Sequence, residues 1–263
     1  MKKMIVLDLD GTILNSNNKV SDNTKQYLNY LKDIGYIITI ATGRIYASAL
    51  KVTDGASFAN YLITDTGSCI YDKDTSLTIF SKYIDKKIAE DILNTYDYCM
   101  YIDICNKNKI YKFSDIIEES DIVTTKKSKK YILDNCKDIS HITIGLSNND
   151  EVYKMYNDIK SKYKNIDVII MQDSFDNKKW IEIMPKKTSK CNSISILAKY
   201  LNINNNDIIA FGDALNDIEV IEKCGHGVAM INALDEVKNV AKHITKYDNN
   251  NDGVIKYLKD HLK

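Results

Sequence analysis

The sequence contains almost no arginine and almost no proline. Of its 36 basic residues 35 are lysine, Arg44 is the single arginine, and Pro185 is the single proline. Because 36 acidic residues balance the basic ones, the formal net charge is zero. General nucleic-acid binders and proteins that attach to anionic membranes usually carry a basic excess, so the composition argues against both kinds of partner.

Two explanations fit the isolated arginine. A chain rich in lysine, asparagine and isoleucine can reflect biased codon usage, in which case Arg44 has no special task. The guanidinium group, however, is a planar fork of hydrogen-bond donors that lysine cannot imitate. The second explanation is therefore a specific task for the side chain at position 44.

Long apolar runs and cysteine pairs are also missing. The six cysteines are spread along the chain without a C-x-x-C pair, which favours reduced thiols over a disulfide scaffold. The N-terminal apolar run, residues 4–7, is interrupted by Asp8 and is too short for the core of a signal peptide. No later run approaches the length of a membrane span, so we expect a soluble, cytoplasmic protein.

Apolar residues are nevertheless abundant and follow an alternating pattern. They make up 44% of the 263 residues, which excludes wholesale disorder and allows one large domain or two modest ones. Continuous apolar runs at residues 4–7 and 36–41 are typical of buried strands, and Ser21 can cap an amphipathic helix between them. Strand–helix alternation resumes after residue 188 and predicts a doubly wound parallel sheet.

The middle of the chain has a different texture. Between residues 83 and 187 the strands look amphipathic, as at residues 109–113 and 142–146. Strands with one solvated face indicate an antiparallel sheet with helices packed on the other face. We therefore predict two domains, a core formed by residues 1–82 and 188–263 and an inserted α+β domain formed by residues 83–187.

Two aspartates stand directly after the first predicted strand. In the motif D-L-D-G-T, Asp8 and Asp10 are two residues apart, so in extended backbone their side chains point to the same side. Gly11 lets the chain turn sharply after them. A solvated turn explains any single D-x-D pair, but an apolar strand before it and Gly-Thr after it favour a functional site.

Further polar groups fall where strands end or helices begin. Residues 42–44 (T-G-R) follow the second strand, and Lys190 lies near the start of the helix after the insertion. A hydroxyl and backbone N–H groups at a helix start suit a phosphate oxygen, although Thr-Gly is also an ordinary cap and a lone lysine is usually a solvated charge. A late strand ends in G-D-A-L-N-D, which places Asp213, Asn216 and Asp217 within one helical turn.

These clusters can converge, because the carboxyl ends of parallel strands gather at one edge of the sheet. Asp8, Asp10 and Asp213 then supply hard oxygen ligands suited to Mg²⁺. A helix cap would explain Asp213 alone, but not the whole set. The pattern therefore favours a magnesium site at this edge of the sheet.

Together the motifs resemble those of the haloacid dehalogenase-like (HAD) superfamily. D-x-D-G-T, T-G-R, a lysine after a long insertion and G-D-x-x-N-D occur here in the order of that superfamily. The insertion after the second motif is similar to the class IIB cap of Cof-type sugar-phosphate phosphatases, and residues 227–233 and 252–254 also fit that group. The resemblance implies an α/β fold, with a Rossmann-like doubly wound parallel sheet as core and an inserted α+β cap domain that sets specificity.

The resemblance also implies roles for individual residues. Asp8 would be the nucleophile that becomes an aspartyl phosphate, and Asp10 would protonate the leaving group and then activate water. Mg²⁺ would be held by the Asp8 carboxylate, the backbone carbonyl of Asp10 and Asp213, with Asp217 supporting that group.

Phosphate and substrate contacts would come from both main chain and side chains. They are the backbone at Leu9 and Gly43 and the side chains of Thr42, Arg44, Lys190 and Asn216. For Arg44 we predict that its fork holds either Asp10 or the substrate, which a lysine would do poorly.

The predicted function is a Mg²⁺-dependent phosphatase of small phosphorylated metabolites, with sugar phosphates as the expected substrates. Two alternatives stay open, namely a phosphomutase of the phosphomannomutase type and a non-catalytic protein that binds phosphometabolites. The second is disfavoured, because a binder needs no nucleophile together with an acid. The chain departs from the family at residues 65–68 (D-T-G-S in place of Asn-Gly-Ala) and at Cys191 after the lysine, so the resemblance does not fix the individual substrate. The sequence carries no signal of the oligomeric state.

Overall fold

The computed structural model of the protein describes residues 3–96, 98–172 and 178–262. Short strands carry most of the apolar runs of the sequence. They are β1 (Met4–Leu7), β2 (Ile37–Ala41), β3 (Tyr61–Thr64), β4 (Cys69–Asp72), β5 (Thr78–Ser81), β6 (Tyr101–Cys105), β7 (Ile110–Ser114), β8 (Val123–Thr125), β9 (His141–Gly145), β10 (Ile166–Gln172), β11 (Lys179–Pro185), β12 (Ile208–Gly212), β13 (His226–Ala229) and β14 (His243–Ile244).

Helices connect many of these strands. They are α1 (Asp22–Asp33), α2 (Tyr46–Val52), α3 (Lys86–Thr95), α4 (Lys129–Asn135), α5 (Asn149–Lys162), α6 (Lys190–Leu201), α7 (Ile218–Lys223), α8 (Asp235–Val240) and α9 (Gly253–His261). Within the described ranges, none of the helices has the length and apolar character needed to cross a membrane.

The chain divides into two compact units. The core unit comprises residues Met1–Arg44, Ala49–Phe80 and Ser189–Lys263, and the inserted unit comprises Ile45–Ser48 and Ser81–Thr188. Residues 45–48 belong to the inserted unit because they contact other residues of that unit. The Ala47 N–H donates to the Lys107 carbonyl at 3.1 Å.

The core unit is built on an eight-stranded sheet with the strand order β14-β13-β12-β1-β2-β3-β4-β5. Neighbours from β14 to β3 are parallel, and β4 runs antiparallel to β3. Every residue of β1 and β12 is buried, as expected for central strands of a sheet covered on both faces. The predicted doubly wound α/β core is therefore confirmed.

The order of the strands reverses beside β1. From β1 the chain moves outward to β2 and β3 on one side, and it later returns to β12 and continues to β13 and β14 on the other side. In open α/β sheets, ligands bind at the carboxyl ends of the strands at such a reversal. Asp8 directly follows β1 and Asp213 directly follows β12, so the topology places both aspartates there.

The inserted unit contains a six-stranded sheet with the order β10-β11-β9-β6-β7-β8. Its neighbours are antiparallel except for the parallel pair β7 and β8. One face carries fully buried isoleucines that pack with apolar residues of α3, α4 and α5. They are Ile102, Ile104, Ile142, Ile144, Ile181 and Ile183. The predicted α+β organisation, with helices on one face of the sheet, is confirmed.

The face turned away from α3, α4 and α5 is called the second face here. Because side chains alternate along a strand, it is formed by the residues between the buried isoleucines. Its polar and aromatic members are Tyr101, Asp103, Lys112, Thr143, Trp180 and Glu182. The two faces thus differ sharply in chemistry.

This difference predicts unequal effects of truncation on the two faces. Ile181→Ala, on the helix-packed face, should cost about 2–5 kcal/mol of unfolding free energy through lost contacts and a cavity. Ile169→Ala, on the partly exposed second face, should cost less than half as much and serves as the matched control. Denaturant unfolding followed by the fluorescence of Trp180, the single tryptophan, measures both; equal losses would contradict the assignment of the faces.

Candidate active site

A buried lysine joins two aspartates at the strand reversal. The Lys190 ammonium donates to Asp8 Oδ1 at 2.6 Å and to Asp217 Oδ1 at 2.7 Å, and it lies 3.3 Å from Asn216 Oδ1. Only 2% of the Lys190 side chain is exposed, and both carboxylates are also buried. Lys190 is therefore a fixed part of a buried ionic cluster and not a solvated surface charge.

The start of α6 positions this lysine. The Ser189 hydroxyl accepts the Asn192 N–H at 3.1 Å and caps the helix, so Lys190 lies on its first turn. The Ser193 hydroxyl donates to the Gly67 carbonyl at 2.5 Å and ties this turn to the loop after β3. The helix start and the loop after β3 therefore hold Lys190 in one direction.

The pKa of each group in the buried cluster depends on the charges of its neighbours. Burial raises the pKa of Asp8 to about 7 against the opposing charge of Lys190, and the neighbouring carboxylates of Asp217 and Asp10 contribute to the rise. Burial, together with Asp8 and Asp217, also holds the pKa of Asp213 well above its ordinary value. For Lys190 burial lowers the pKa, but Asp217 and Asp8 more than offset it and the net pKa is raised. Full ionisation of Asp8, Asp213 and Asp217 would therefore place more negative charge in the cluster than Lys190 can balance.

The carboxylates could hold a metal ion. Asp8, Asp213 and Asp217 each offer an oxygen within 4.8 Å of the others. Asp217 already accepts Lys190 on Oδ1, and its Oδ2 accepts the N–H groups of Asp213 and Ala214 at 3.1 and 3.2 Å. Hard carboxylate oxygens with excess negative charge suit a divalent cation. Both oxygens of Asp217 therefore accept hydrogen bonds from the protein. Through them Asp217 orients the backbone at Asp213 and Ala214 and holds the Lys190 ammonium.

The turn after Asp8 is shaped around Asp213. The Thr12 hydroxyl donates to Asp213 Oδ1 at 2.9 Å. Gly11 has φ +74°, and a Cβ added there would lie 2.1 Å from Asp213 Oδ2. Glycine is therefore required both by the backbone conformation and by the close approach of the carboxylate.

Arg44 binds Asp10 through the fork that lysine lacks. Its Nε donates to Asp10 Oδ2 at 2.7 Å, and its Nη2 donates to Asp10 Oδ1 at 2.6 Å. Burial would lower the pKa of Arg44, but the hydrogen bonds and charge of Asp10 raise it overall. Asp10 is 53% exposed, in contrast to the buried Asp8. Of the two expected partners of Arg44, the structure therefore shows Asp10.

Residues 42–44 form a loop and not a helix start. Thr42 is buried, and its hydroxyl accepts the Arg44 N–H at 3.2 Å. The carbonyls of Thr42 and Arg44 accept the N–H groups of Thr66 and Asp65 at 3.2 and 3.0 Å, so these carbonyls bond to another loop. The helix α2 begins only at Tyr46, and the expected helix start at T-G-R is wrong by two residues.

The remaining predicted phosphate contacts involve the backbone near the two aspartates. Leu9 is buried in the turn Leu9–Ile13, and its carbonyl accepts the Leu14 N–H at 2.9 Å. Gly43 lies between Thr42 and Arg44 in the same loop. The structure thus brings Leu9, Thr42 and Gly43 to the carboxyl ends of β1 and β2, and their contacts with phosphate stay a prediction.

Two positioning features escaped the sequence reasoning. Asp65, Thr66 and Gly67 have φ values of +55°, +52° and +96°, a left-handed turn that is strained for the β-branched threonine. The Asn232 side chain donates to the Gly11 carbonyl at 2.8 Å, and the Leu234 N–H donates to the Asp213 carbonyl at 3.0 Å. Two features of the sequence point to these contacts. They are the departure from the family at residues 65–68 and the resemblance to it at Asn232.

The polar side chains of this site lie at the strand reversal of a parallel sheet, where α/β proteins bind their ligands. The chain matches the model of a family described as haloacid dehalogenase-like hydrolase over residues 5–258. Because this match spans nearly the whole sequence, the protein belongs to the haloacid dehalogenase-like hydrolases. The predicted family and the prediction of a hydrolytic enzyme are therefore confirmed.

Individual proteins are similar to this chain over nearly its whole length. The chain is 28% identical over 258 residues to the 5-amino-6-(5-phospho-D-ribitylamino)uracil phosphatase YcsE of Bacillus subtilis (strain 168), covering 98% of this chain and 94% of the relative. It is 25% identical to the stress response protein YhaX of the same organism, over 100% and 94% of the two chains. The structure of a haloacid dehalogenase-like hydrolase from B. subtilis has the same fold, with a TM-score of 0.84, 23% identity and coverage of 99% and 100%.

The turn at Gly67 should couple stability to activity. A Cβ at Gly67 would lie 2.3 Å from the Ser189 carbonyl oxygen, so Gly67→Ala must move either the turn or the start of α6 that carries Lys190. We expect a fall of at least tenfold in hydrolytic rate as well as a lower Tm. Gly55→Ala is the matched control, because φ is also positive there (+83°) but no atom lies within 4 Å of the added Cβ. Its cost should be limited to about 1 kcal/mol of backbone strain, and a similar loss of rate in both variants would contradict the coupling.

Proposed function

We propose that this protein is a Mg²⁺-dependent phosphatase of small phosphorylated metabolites, with sugar phosphates as the expected substrates and an aspartyl phosphate as intermediate. The observation that carries the proposal is the contrast between two aspartates only two residues apart. Asp8 is buried against Lys190, whereas Asp10 is half exposed and is held by Arg44. Pairs of carboxyl groups in different environments are suited to different chemical tasks.

Asp8 acts as the nucleophile in this proposal. A carboxylate that attacks a phosphate monoester meets strong like-charge repulsion. Lys190, in contact with Asp8 at 2.6 Å, offsets part of that repulsion in a buried setting, where charge interactions are strong. The Asp8 oxygen attacks phosphorus, the ester bond to the leaving oxygen breaks, and the phosphoryl group is transferred to Asp8.

Asp10 acts as acid and then as base. In its protonated form it donates a proton to the leaving oxygen, and in its ionised form it accepts a proton from the water that hydrolyses the aspartyl phosphate. Its exposure allows proton exchange with solvent, and the two hydrogen bonds from Arg44 fix the plane of its carboxyl group. The same side chain can therefore serve both half-reactions.

The Asp8 carboxylate, the backbone carbonyl of Asp10 and Asp213 would hold Mg²⁺. When bound, the ion supplies positive charge that offsets the charge of the phosphate and of the carboxylates. The grouping of Asp8, Asp213 and Asp217 within 4.8 Å, two of them paired with the same Lys190, supports this assignment. Thr12 and Gly11 keep Asp213 in place for it.

Further groups complete the proposed site. Thr42, Asn216 and the backbone at Leu9 and Gly43 would bind phosphate oxygens. The inserted unit would act as the cap domain that selects the leaving group. A relative with 28% identity is named as a phosphatase of a phosphorylated ribityl compound, which supports a small phosphorylated metabolite as substrate. The expected cytoplasmic location stays a prediction.

Replacement of the nucleophile tests the proposal directly. Asp8→Asn should lower release of phosphate from p-nitrophenyl phosphate and from a panel of sugar phosphates by at least 10³-fold, since amide nitrogen or oxygen cannot replace the attacking carboxylate. The fold should persist, as judged by thermal unfolding, and the exposed Asp33→Asn variant should keep wild-type activity as the control. Removal of Mg²⁺ with a chelator should abolish wild-type turnover reversibly. Retained activity in Asp8→Asn would refute the role of Asp8, and accumulation of a hexose 6-phosphate from the 1-phosphate would identify a mutase instead.

The guanidinium group of Arg44 gives a second test. Arg44→Lys keeps the charge but removes the paired contact with Asp10, so kcat should fall about tenfold, in line with the loss of a charged hydrogen bond. Because Asp10 would then lose the two hydrogen bonds that orient its carboxyl group, kcat/KM should fall as well. Lys25→Arg, which alters an exposed ion pair with Asp54, is the control and should change neither quantity. Wild-type kinetics in Arg44→Lys would mean that Arg44 has no catalytic task.

A further inference from the structure

The strand β10 is a long apolar edge of the inserted sheet. It spans seven residues, with the sequence I-D-V-I-I-M-Q, and among the described strands it pairs with β11 alone. The other sheet edges within the described ranges are shorter, with three residues in β8, four in β5 and two in β14. An apolar edge strand of this length can act as a template for a further strand. This edge is therefore a candidate interaction surface.

Backbone groups at the centre of this edge have no partner. The Lys186 N–H donates to the Asn165 carbonyl at 3.2 Å, which fixes the phase of the ladder between β10 and β11. Bonded and non-bonded pairs alternate in an antiparallel ladder, so the even-numbered residues of β10 direct their N–H and C=O groups outward. At Val168 and Ile170 these groups form no hydrogen bond within the described part of the chain. They can therefore bond to another strand.

Charge does not oppose association at this edge. Asp167 is the one charged residue of β10, and the Lys186 ammonium lies 2.7 Å from its Oδ1 atom. The strand contains neither lysine nor proline, the residues that commonly protect an edge from pairing. Because the chain as a whole has zero formal net charge, its copies do not repel each other through an excess of one sign. A second copy of the same strand is thus an electrostatically compatible occupant.

We propose that β10 pairs antiparallel with β10 of a second copy of this chain, about a two-fold axis at Ile169. Since Ile169 is the midpoint of the strand, this axis pairs all of its residues without overhang. Val168 then lies opposite Ile170 of the other copy, and their outward N–H and C=O groups bond to each other. Asp167 lies opposite Met171, so no like charges face each other across the axis. The two inserted sheets become one continuous sheet.

Two-fold pairing ends with two copies. An isologous contact uses the same surface on both partners, so no β10 edge stays open after pairing. The opposite edge of the inserted sheet is the three-residue strand β8, which is too short to serve as a comparable template. All residues of the contact belong to the inserted unit, and none belongs to the candidate active site. The proposal therefore stands independently of the proposed phosphatase function.

The mass of the protein in solution tests the proposal. Size-exclusion chromatography with light scattering, at about 100 µM chain, should give twice the 30.0 kDa of one chain. Ile170→Pro should raise the Kd of the dimer at least tenfold, because proline removes an outward N–H but no hydrogen bond to β11. Ile170→Val, which keeps the N–H, is the matched control and should leave the Kd within threefold. A wild-type mass of one chain at this concentration would overturn the proposal.

Opposite charges placed on the axis test the register. Only the residue on a two-fold axis faces its own copy, so Ile169→Lys sets two ammonium groups opposite each other and Ile169→Asp sets two carboxylates there. Each variant alone should be monomeric, whereas an equimolar mixture should regain the mass of two chains. Ile169→Asn is the uncharged control and should dimerise more tightly than either charged variant.

Thermal unfolding checks that the charged variants fold. Glu182 lies opposite Ile169 on β11, so Ile169→Asp should have a lower Tm than Ile169→Lys. Ile170→Pro decides the question independently if Ile169→Asp does not fold. Charged variants that stay dimeric when alone, or folded monomers that do not combine when mixed, would overturn the pairing of β10 about Ile169.

Discussion

Mutual repulsion between buried carboxylates is the constraint on which the core unit depends. Asp8, Asp213 and Asp217 converge at the strand reversal, and Lys190 forms ion pairs with two of them, Asp8 and Asp217. Such an arrangement is unfavourable unless the surrounding structure forces it. Short loops at the carboxyl ends of the strands force the carboxylates together, because they hold each member of the cluster by hydrogen bonds or close contact.

Environment, more than residue type, separates the two aspartates of the D-L-D motif. The backbone of β1 sends Asp8 into the buried cluster, and the turn that follows leaves Asp10 half exposed beside Arg44. A charge that is stabilised by a neighbouring lysine in a dry site has little contact with bulk water. A carboxyl group on the rim exchanges protons freely but needs another residue to orient it. The short turn between them therefore creates two chemically different carboxyl groups from one repeated residue.

Strands, sheet type and the convergence of the motifs could be predicted, because apolar runs and the two-residue period of strands are local properties of the sequence. Lys190 could be placed only through the resemblance, since one lysine among 35 has no distinguishing local pattern. The left-handed turn at residues 65–67 was out of reach, because Thr66 adopts its conformation only under tertiary contacts. The central position of Asp103 could not be predicted either. An aspartate in an amphipathic strand is expected to be solvated, and only the strand register shows that this one lies at the centre of a sheet.

The single arginine has a practical consequence for watching the site in solution. A protein grown with ¹⁵N-labelled arginine carries its side-chain label only at Arg44, because no other arginine is present. Its guanidinium resonances would then arise from one residue, and the two nitrogens bonded to Asp10 would be observed without overlap. A compositional scarcity thus makes the orientation of one carboxyl group spectroscopically visible in the intact, unmodified chain.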